Sequence, residues 1–518
     1  MHPTFGPTLR LFMLLLLSGS LYFCSPHKPT TEDLAGVSQD SLREQHRPYF
    51  HFTPDSMWMN DPNGMVFHDG YYHLFYQYYP GSTVWGPMHW GHAISKDMVS
   101  WEHKPIALFP DDHGYIFSGS AVVDKNNTSG FGTNENPPLV AIFTYHDPVG
   151  EKQGKIDYQT QGIAYSLDAG ESWIKYEKNP VLMNPGIIDF RDPKVRWFEK
   201  DNKWIMTLAV KDHIRFYSSP NLKDWKLESE FGKETGAHGG VWECPDLFPL
   251  QLDESGEVHW ILLVSLNPGG PNGGSGTQYF IGDFDGHQFI PLDTAVRWLD
   301  YGPDNYAGVT WSNTGDRTLF MGWMSNWKYA TVVPTEIWRS AMTIARELKL
   351  VKAPAGLVVS SLPVPEFDHS INTVFEAANL EFSKQLNLSD LAKSTITTFS
   401  LDLTMEKPSD FDITLSNDSG EKVTLNFDKS ENQFRIDRSQ SGNTAFHPEF
   451  SRPIMANRYS HNEIMNLRLV VDAASMEVFA DDGTTVLTAI YFPQKEFSKI
   501  EMTTSDTTTI SSLILSKP

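Results

Sequence analysis

Ala93-Ile94-Ser95-Lys96-Asp97-Met98-Val99-Ser100-Trp101 recurs loosely as Ala164-Tyr165-Ser166-Leu167-Asp168-Ala169-Gly170-Glu171-Ser172-Trp173. A third copy runs from Phe216-Tyr217-Ser218-Ser219 to Asp224-Trp225, and a fourth from Phe280-Ile281-Gly282-Asp283-Phe284-Asp285-Gly286 to Phe289. Each is a short strand, a polar turn, and an aromatic that opens another strand. The aromatics stand roughly 50 to 70 residues apart, the period of a propeller blade. Further alternating runs lie between the copies at His73–Tyr78, Leu139–Tyr145, Trp204–Val210 and His259–Leu266. Leu319–Trp323 with Ile337–Leu350 makes a fifth set. The spacing predicts an all-β chain that opens with a five-bladed β-propeller over residues 46–362. A single large two-sheet sandwich would not readily explain it.

Ser360-Ser361-Leu362-Pro363-Val364-Pro365 reads as a strand-poor connector. Beyond it alternation resumes at Thr398–Met405, Phe411–Ser416, Lys422–Phe427, Gln433–Asp437, Met465–Asp472, Ser475–Ala480 and Val486–Phe492. With turns such as Asp481-Asp482-Gly483, this predicts a C-terminal β-sandwich over residues 363–518.

The 518 residues are 40% hydrophobic and 13% aromatic, with 15 Trp, enough for two sizeable cores. A formal charge of −23 argues against nucleic acid or an anionic membrane as a partner. Arg10, the apolar run Leu11–Leu17 and the small residues Ser18-Gly19-Ser20 read as an export signal over residues 1–24. Cys24 is a candidate lipidation site, but Tyr22 and Phe23 are bulky for one, so membrane contact is expected only if Cys24 is lipidated. Residues 25–45 are polar and read as a tether. Cys24 and Cys244 are the only cysteines, so stability must come from the cores rather than from a disulfide framework. Asn126, Asn387 and Asn417 sit in glycosylation sequons. There is no phosphate-binding glycine loop, no helical His pair for zinc and no heptad pattern, and neither a metal nor a cofactor is expected.

Three carboxylates stand out. Asp61 lies in Trp58-Met59-Asn60-Asp61-Pro62-Asn63-Gly64, a cluster of turn-formers ahead of the aromatic strand Tyr71–Tyr79. Asp192 lies in Arg191-Asp192-Pro193, where a neighbouring guanidinium would keep it ionised. Glu243 follows Trp242 and precedes Cys244, an apolar setting expected to raise its pKa. These positions fall in blades one, three and four, whose inner strands all face one axis. One carboxylate kept ionised and another kept protonated are the parts for retaining glycoside hydrolysis.

The blocks Trp58–Gly64, Phe117-Ser118-Gly119-Ser120, Arg191-Asp192-Pro193 and Glu243-Cys244-Pro245 resemble the signatures of glycoside hydrolase family 32, the invertases, inulinases and levanases. The resemblance implies a propeller plus sandwich and a β-fructoside substrate. It implies that Asp61 is the nucleophile, Glu243 the acid/base, and Asp192 a transition-state stabiliser positioned by Arg191. It further implies a substrate pocket lined by Asn60, Gln77, Trp85, Phe117, Ser118, Tyr306 and Trp323. Two positions depart from the family pattern: Ala345, where many relatives have Pro, and Asn305, where many have Phe and where a change near the pocket is expected to alter subsites. The loop Asn267–Tyr279 resembles microbial fructan hydrolases, so levan or inulin is expected over sucrose alone. Alternatives are an endo-acting levanase, a fructosyltransferase, and a non-catalytic fructan-binding surface protein. Oligomeric state is open.

Overall fold

The computed structural model describes residues 44–518 apart from 253–254, 355 and 393–395. The export signal, Cys24 and nearly all of the tether lie outside the described residues.

Five antiparallel sheets form the blades of a propeller. Their inner strands are Met57–His68, Tyr115–Val123, Phe190–Phe198, Val241–Gln251 and Tyr306–Thr310. Each touches the next, and the fifth touches the first, so the ring is closed. At the floor the closure is hydrogen-bonded: Ser312 N donates to Met65 O and Phe67 N to Ser312 O, both 2.9 Å. Apolar side chains fill the wedges between blades. Phe75 and Trp90 of blade one meet Phe143 and Tyr145 of blade two, and Phe216 of blade three meets Trp242 and Phe280 of blade four. Many of the tryptophans are therefore spent on holding blades together.

The repeated turn has a local cause. Ser95 Oγ donates to Asp97 Oδ1 (2.9 Å), which also accepts from Val99 N and Ser100 N. Ser166 Oγ donates to Asp168 Oδ1 (2.8 Å), which accepts from Ser172 N. Ser219 and Asn221 repeat the pattern in blade three, with Asn221 Oδ1 accepting from Lys223 N and Asp224 N at 3.0 Å. A short polar side chain capping its own turn fixes the hairpin in each of these three blades, whatever the strands around it.

Blade five differs from expectation. Its outer strands are Arg346–Ala353 and Gly356–Pro363, so Ser360–Pro363 ends a strand and is not a connector. Ile337–Leu350 is also not one strand. Trp338–Arg339 leaves blade five to pair in parallel with Met57–Trp58 of blade one, which latches the ring.

The sandwich has two six-stranded sheets. Alternate burial along Phe411–Ser416 matches a sheet with one wet face. The sequence reading missed Asn372–Phe382, Lys499–Thr504 and Thr508–Lys517. The first is an exposed edge strand, the second is short with only Ile500 and Met502 as its apolar residues, and the third is rich in Ser and Thr. Ser475–Ala480 is buried along its whole length because blade five covers its outer face.

That contact carries a buried charge network. Glu477 accepts from Arg346 Nε (3.1 Å), and Arg346 Nη1 reaches Asp300 (3.0 Å), which also accepts from Thr488, Gly302 and Asn305. His51 bridges Asp472 and Glu477, 2.8 Å from each. Burial disfavours its charge, but the two carboxylates outweigh burial and raise its pKa to about 9. A raised histidine stabilises the fold fully below pH 6.5, and that contribution is lost as pH rises through about 9. The shift corresponds to about 3 kcal/mol. Denaturant melts from pH 6 to 9.5 are therefore expected to show stability falling in the wild type and much less in His51→Gln. Parallel curves for the two proteins would count against this assignment.

Candidate active site

The three carboxylates lie near the starts of their inner strands, at one mouth of the ring. Register breaks accompany each site strand: between Met59 and Pro62, Ile116 and Gly119, Glu243 and Asp246, and Tyr306 and Val309, with a matching slip opposite Arg191–Lys194. Asp192, Cys244 and Ala307 take positive φ at these points. A bulge turns a side chain out of strict alternation, so five successive bulges aim five strands' side chains into one space.

Asp61 accepts from Asn60 Nδ2 (2.9 Å) and from Ser118 Oγ (2.7 Å). Asn60 is fixed in turn by Trp58 Nε1 (2.7 Å). Asp192 Oδ2 accepts from Cys244 N at 3.0 Å. The Cys244 sulfur stands 3.6 Å from Asp61 Oδ2 and 3.7 Å from Asp192 Oδ2, so one thiol touches both carboxylates. Burial and the nearby carboxylates push that thiol well above its ordinary pKa, which keeps it neutral. Glu243 is held at both oxygens: Arg191 Nη2 donates to Oε1 (2.9 Å) and the Tyr306 hydroxyl to Oε2. Arg191 also pairs with Asp189 and stands 3.9 Å from Asp192.

Two expectations are corrected here. Glu243 is not in an apolar setting: Trp242 packs into the wedge between blades three and four, while Glu243 meets a guanidinium and a phenol. Nor does Arg191 simply keep Asp192 ionised, because its closer partners are Asp189 and Glu243. Burial, with Glu243 and Asp61 adding to it and Arg191 opposing, raises Asp192 to about 7. Burial likewise raises Asp61 above the usual carboxylate range.

The other expected residues divide. Gln77 donates to Ile116 O (3.0 Å) beneath the site. Trp85 is 40% exposed and sits edge-on to Phe117, 6.0 Å between centroids. Phe117 stacks on His146 at 4.2 Å. Trp323 is 0% exposed and packs behind the pocket against Trp58, Trp327 and Tyr306, so it backs the wall and offers no open ring face.

Residues 51–361 match the model for the glycosyl hydrolases family 32 N-terminal domain, and residues 368–516 match that for the family 32 C terminal. The chain belongs to glycoside hydrolase family 32. A levanase of Bacillus subtilis is 47% identical over 89% of this chain and 68% of its own length. An extracellular exo-inulinase of Aspergillus niger is 40% identical over 89% and 93%. A fructofuranosidase of Schwanniomyces occidentalis, solved in complex with fructosylnystose, superposes with a TM-score of 0.83 at 35% identity, covering 91% of this chain and 98% of that one.

Within this family 32 chain, Asn305 does not face the pocket as expected. It is buried, and its amide donates to Asp300 (3.1 Å), beside the Arg346 network. Ala345 is packed in the core shared by blades one and five. Asp189 and the Cys244 thiol were missed as parts of the site. Cys244 stands inside a quoted motif, but the bulge between Glu243 and Asp246 decides where its thiol points, and Asp189 lies just ahead of the strand that carries Arg191.

Proposed function

We propose that this family 32 glycoside hydrolase cleaves terminal β-D-fructofuranosyl units from levan, inulin and sucrose with net retention, as an exported enzyme. The supporting observation is the meeting of Asp61, Asp192 and Glu243 around one mouth, with Glu243 gripped by Arg191 and Tyr306. Asp61 attacks the anomeric C2 while Glu243 protonates the leaving oxygen. Glu243 then takes a proton from water, whose oxygen attacks C2 and releases Asp61. Asp192, beside the nucleophile, hydrogen-bonds ring hydroxyls and steadies the positive charge that develops at C2. The relatives named as extracellular exo-inulinases support both the substrate class and the export.

A time course on levan, inulin and sucrose tests the reading. Fructose as the sole early product fits terminal attack. An early ladder of oligomers means endo action, and new oligosaccharides at high sucrose mean transfer. Retention is read from the anomeric configuration of the first product by NMR.

The pH profile follows from the raised carboxyls. Burial raises Asp192 to about 7 and Asp61 above its ordinary range, so the charge on the cluster changes as pH passes about 7. A break in the kcat/KM profile is therefore expected near pH 7. A profile flat to pH 9 would sink this account.

A further inference from the structure

An aromatic chain leads out of the pocket. Trp85 meets Phe117, Phe117 stacks on His146, and Tyr158 stands edge-on to His146 at 5.4 Å. The Tyr158 hydroxyl meets the backbone of Asp189, the residue paired with Arg191. The chain therefore runs from the Asp61–Ser118 side of the mouth to the Glu243 side. There it ends on two loops, 147–158 and 183–189, each bearing an exposed isoleucine: Ile156 (48%) and Ile188 (46%). The loops touch, because Ile156 Cδ1 is 3.9 Å from where a Cβ on Gly186 would stand. Exposed aliphatic side chains gathered at the rim of a polar site suggest that a ligand covers them.

We propose that Tyr158, Ile156 and Ile188 form the platform for the part of a fructan chain beyond the scissile bond. This rests on the catalytic reading above. Glu243 must hand its proton to the leaving oxygen, so the departing sugars lie on the Arg191–Asp189 side, where Tyr158 stands. The C–H faces of the following furanosyl units pack on the two isoleucines. Sucrose leaves a single sugar, which reaches Tyr158 but not the outer pair, so the platform discriminates chains from the disaccharide.

The test is an Ile156→Ser/Ile188→Ser double variant, assayed on inulin oligomers, levan and sucrose. KM for the chains is expected to rise about five-fold, with the sucrose KM and all kcat values moving by less than about two-fold. Ile156→Trp, which widens the platform, is expected to lower the KM for chains. Equal shifts on sucrose and chains, or no shift on either, would overturn the platform while leaving the catalytic reading intact. A wild-type enzyme that frees no fructose from any fructoside would overturn both.

Discussion

Glu243→Ala is expected to lose about a thousand-fold or more of its turnover on levan and sucrose. The leaving group in both is a sugar alkoxide, which departs slowly unless a proton reaches it as the bond breaks. A fructosyl donor with fluoride or p-nitrophenolate as leaving group needs no such proton. Its first step should survive the substitution with a much smaller loss. The second step still lacks a base, so an initial burst followed by slow turnover is expected, and added azide should speed release by attacking without base help. The geometry gives a control. Tyr306 and Arg191 both donate to Glu243, so Glu243→Gln keeps an acceptor for one of them and preserves packing while removing the titratable proton. Equal losses on sugar and activated substrates would take Glu243 out of the acid role.

What could be read from the sequence, and what could not, follows from how local each cause is. The blade repeat was legible because Ser95–Asp97 and Ser166–Asp168 close their turns with hydrogen bonds inside the motif. The three carboxylates were legible because each sits one or two residues before a proline within a short block. Their partners were not. Alternation predicts which face a strand residue takes, and a bulge resets it by one position. Every inner strand carries such a reset at the site, so the meeting of Cys244 with two carboxylates was hidden, and Asn305 and Asp189, which stand just ahead of their strands, have no alternation to read. The latch of Trp338–Arg339 on blade one was equally hidden, because two residues make no periodic signal. In the sandwich, the seven strands with the longer apolar signals were found, and the exposed edge strand, the short Lys499–Thr504 and the Ser/Thr-rich last strand were not.

Asp61→Ala is expected to cost more than Glu243→Ala, on the order of 10^4-fold or greater, and on every fructoside alike. No change of leaving group can help, because the missing partner is the one proposed to form the bond to C2. The loss should not come from unfolding. Burial raises the Asp61 pKa, so its folded-state ionisation opposes stability above the ordinary carboxylate range, and its removal relieves that cost. The variant should therefore melt at or above the wild-type temperature at pH 7 while remaining almost inactive. Asn60 and Ser118, which donate to Asp61, would then face an opening one carboxylate in size. A small anion such as azide can enter it and attack an activated fructosyl donor from the nucleophile's side. The product should then be a fructosyl azide of inverted configuration, because one displacement replaces two. Residual turnover near that of the wild type, or a rescued product of retained configuration, would remove Asp61 from the nucleophile's position.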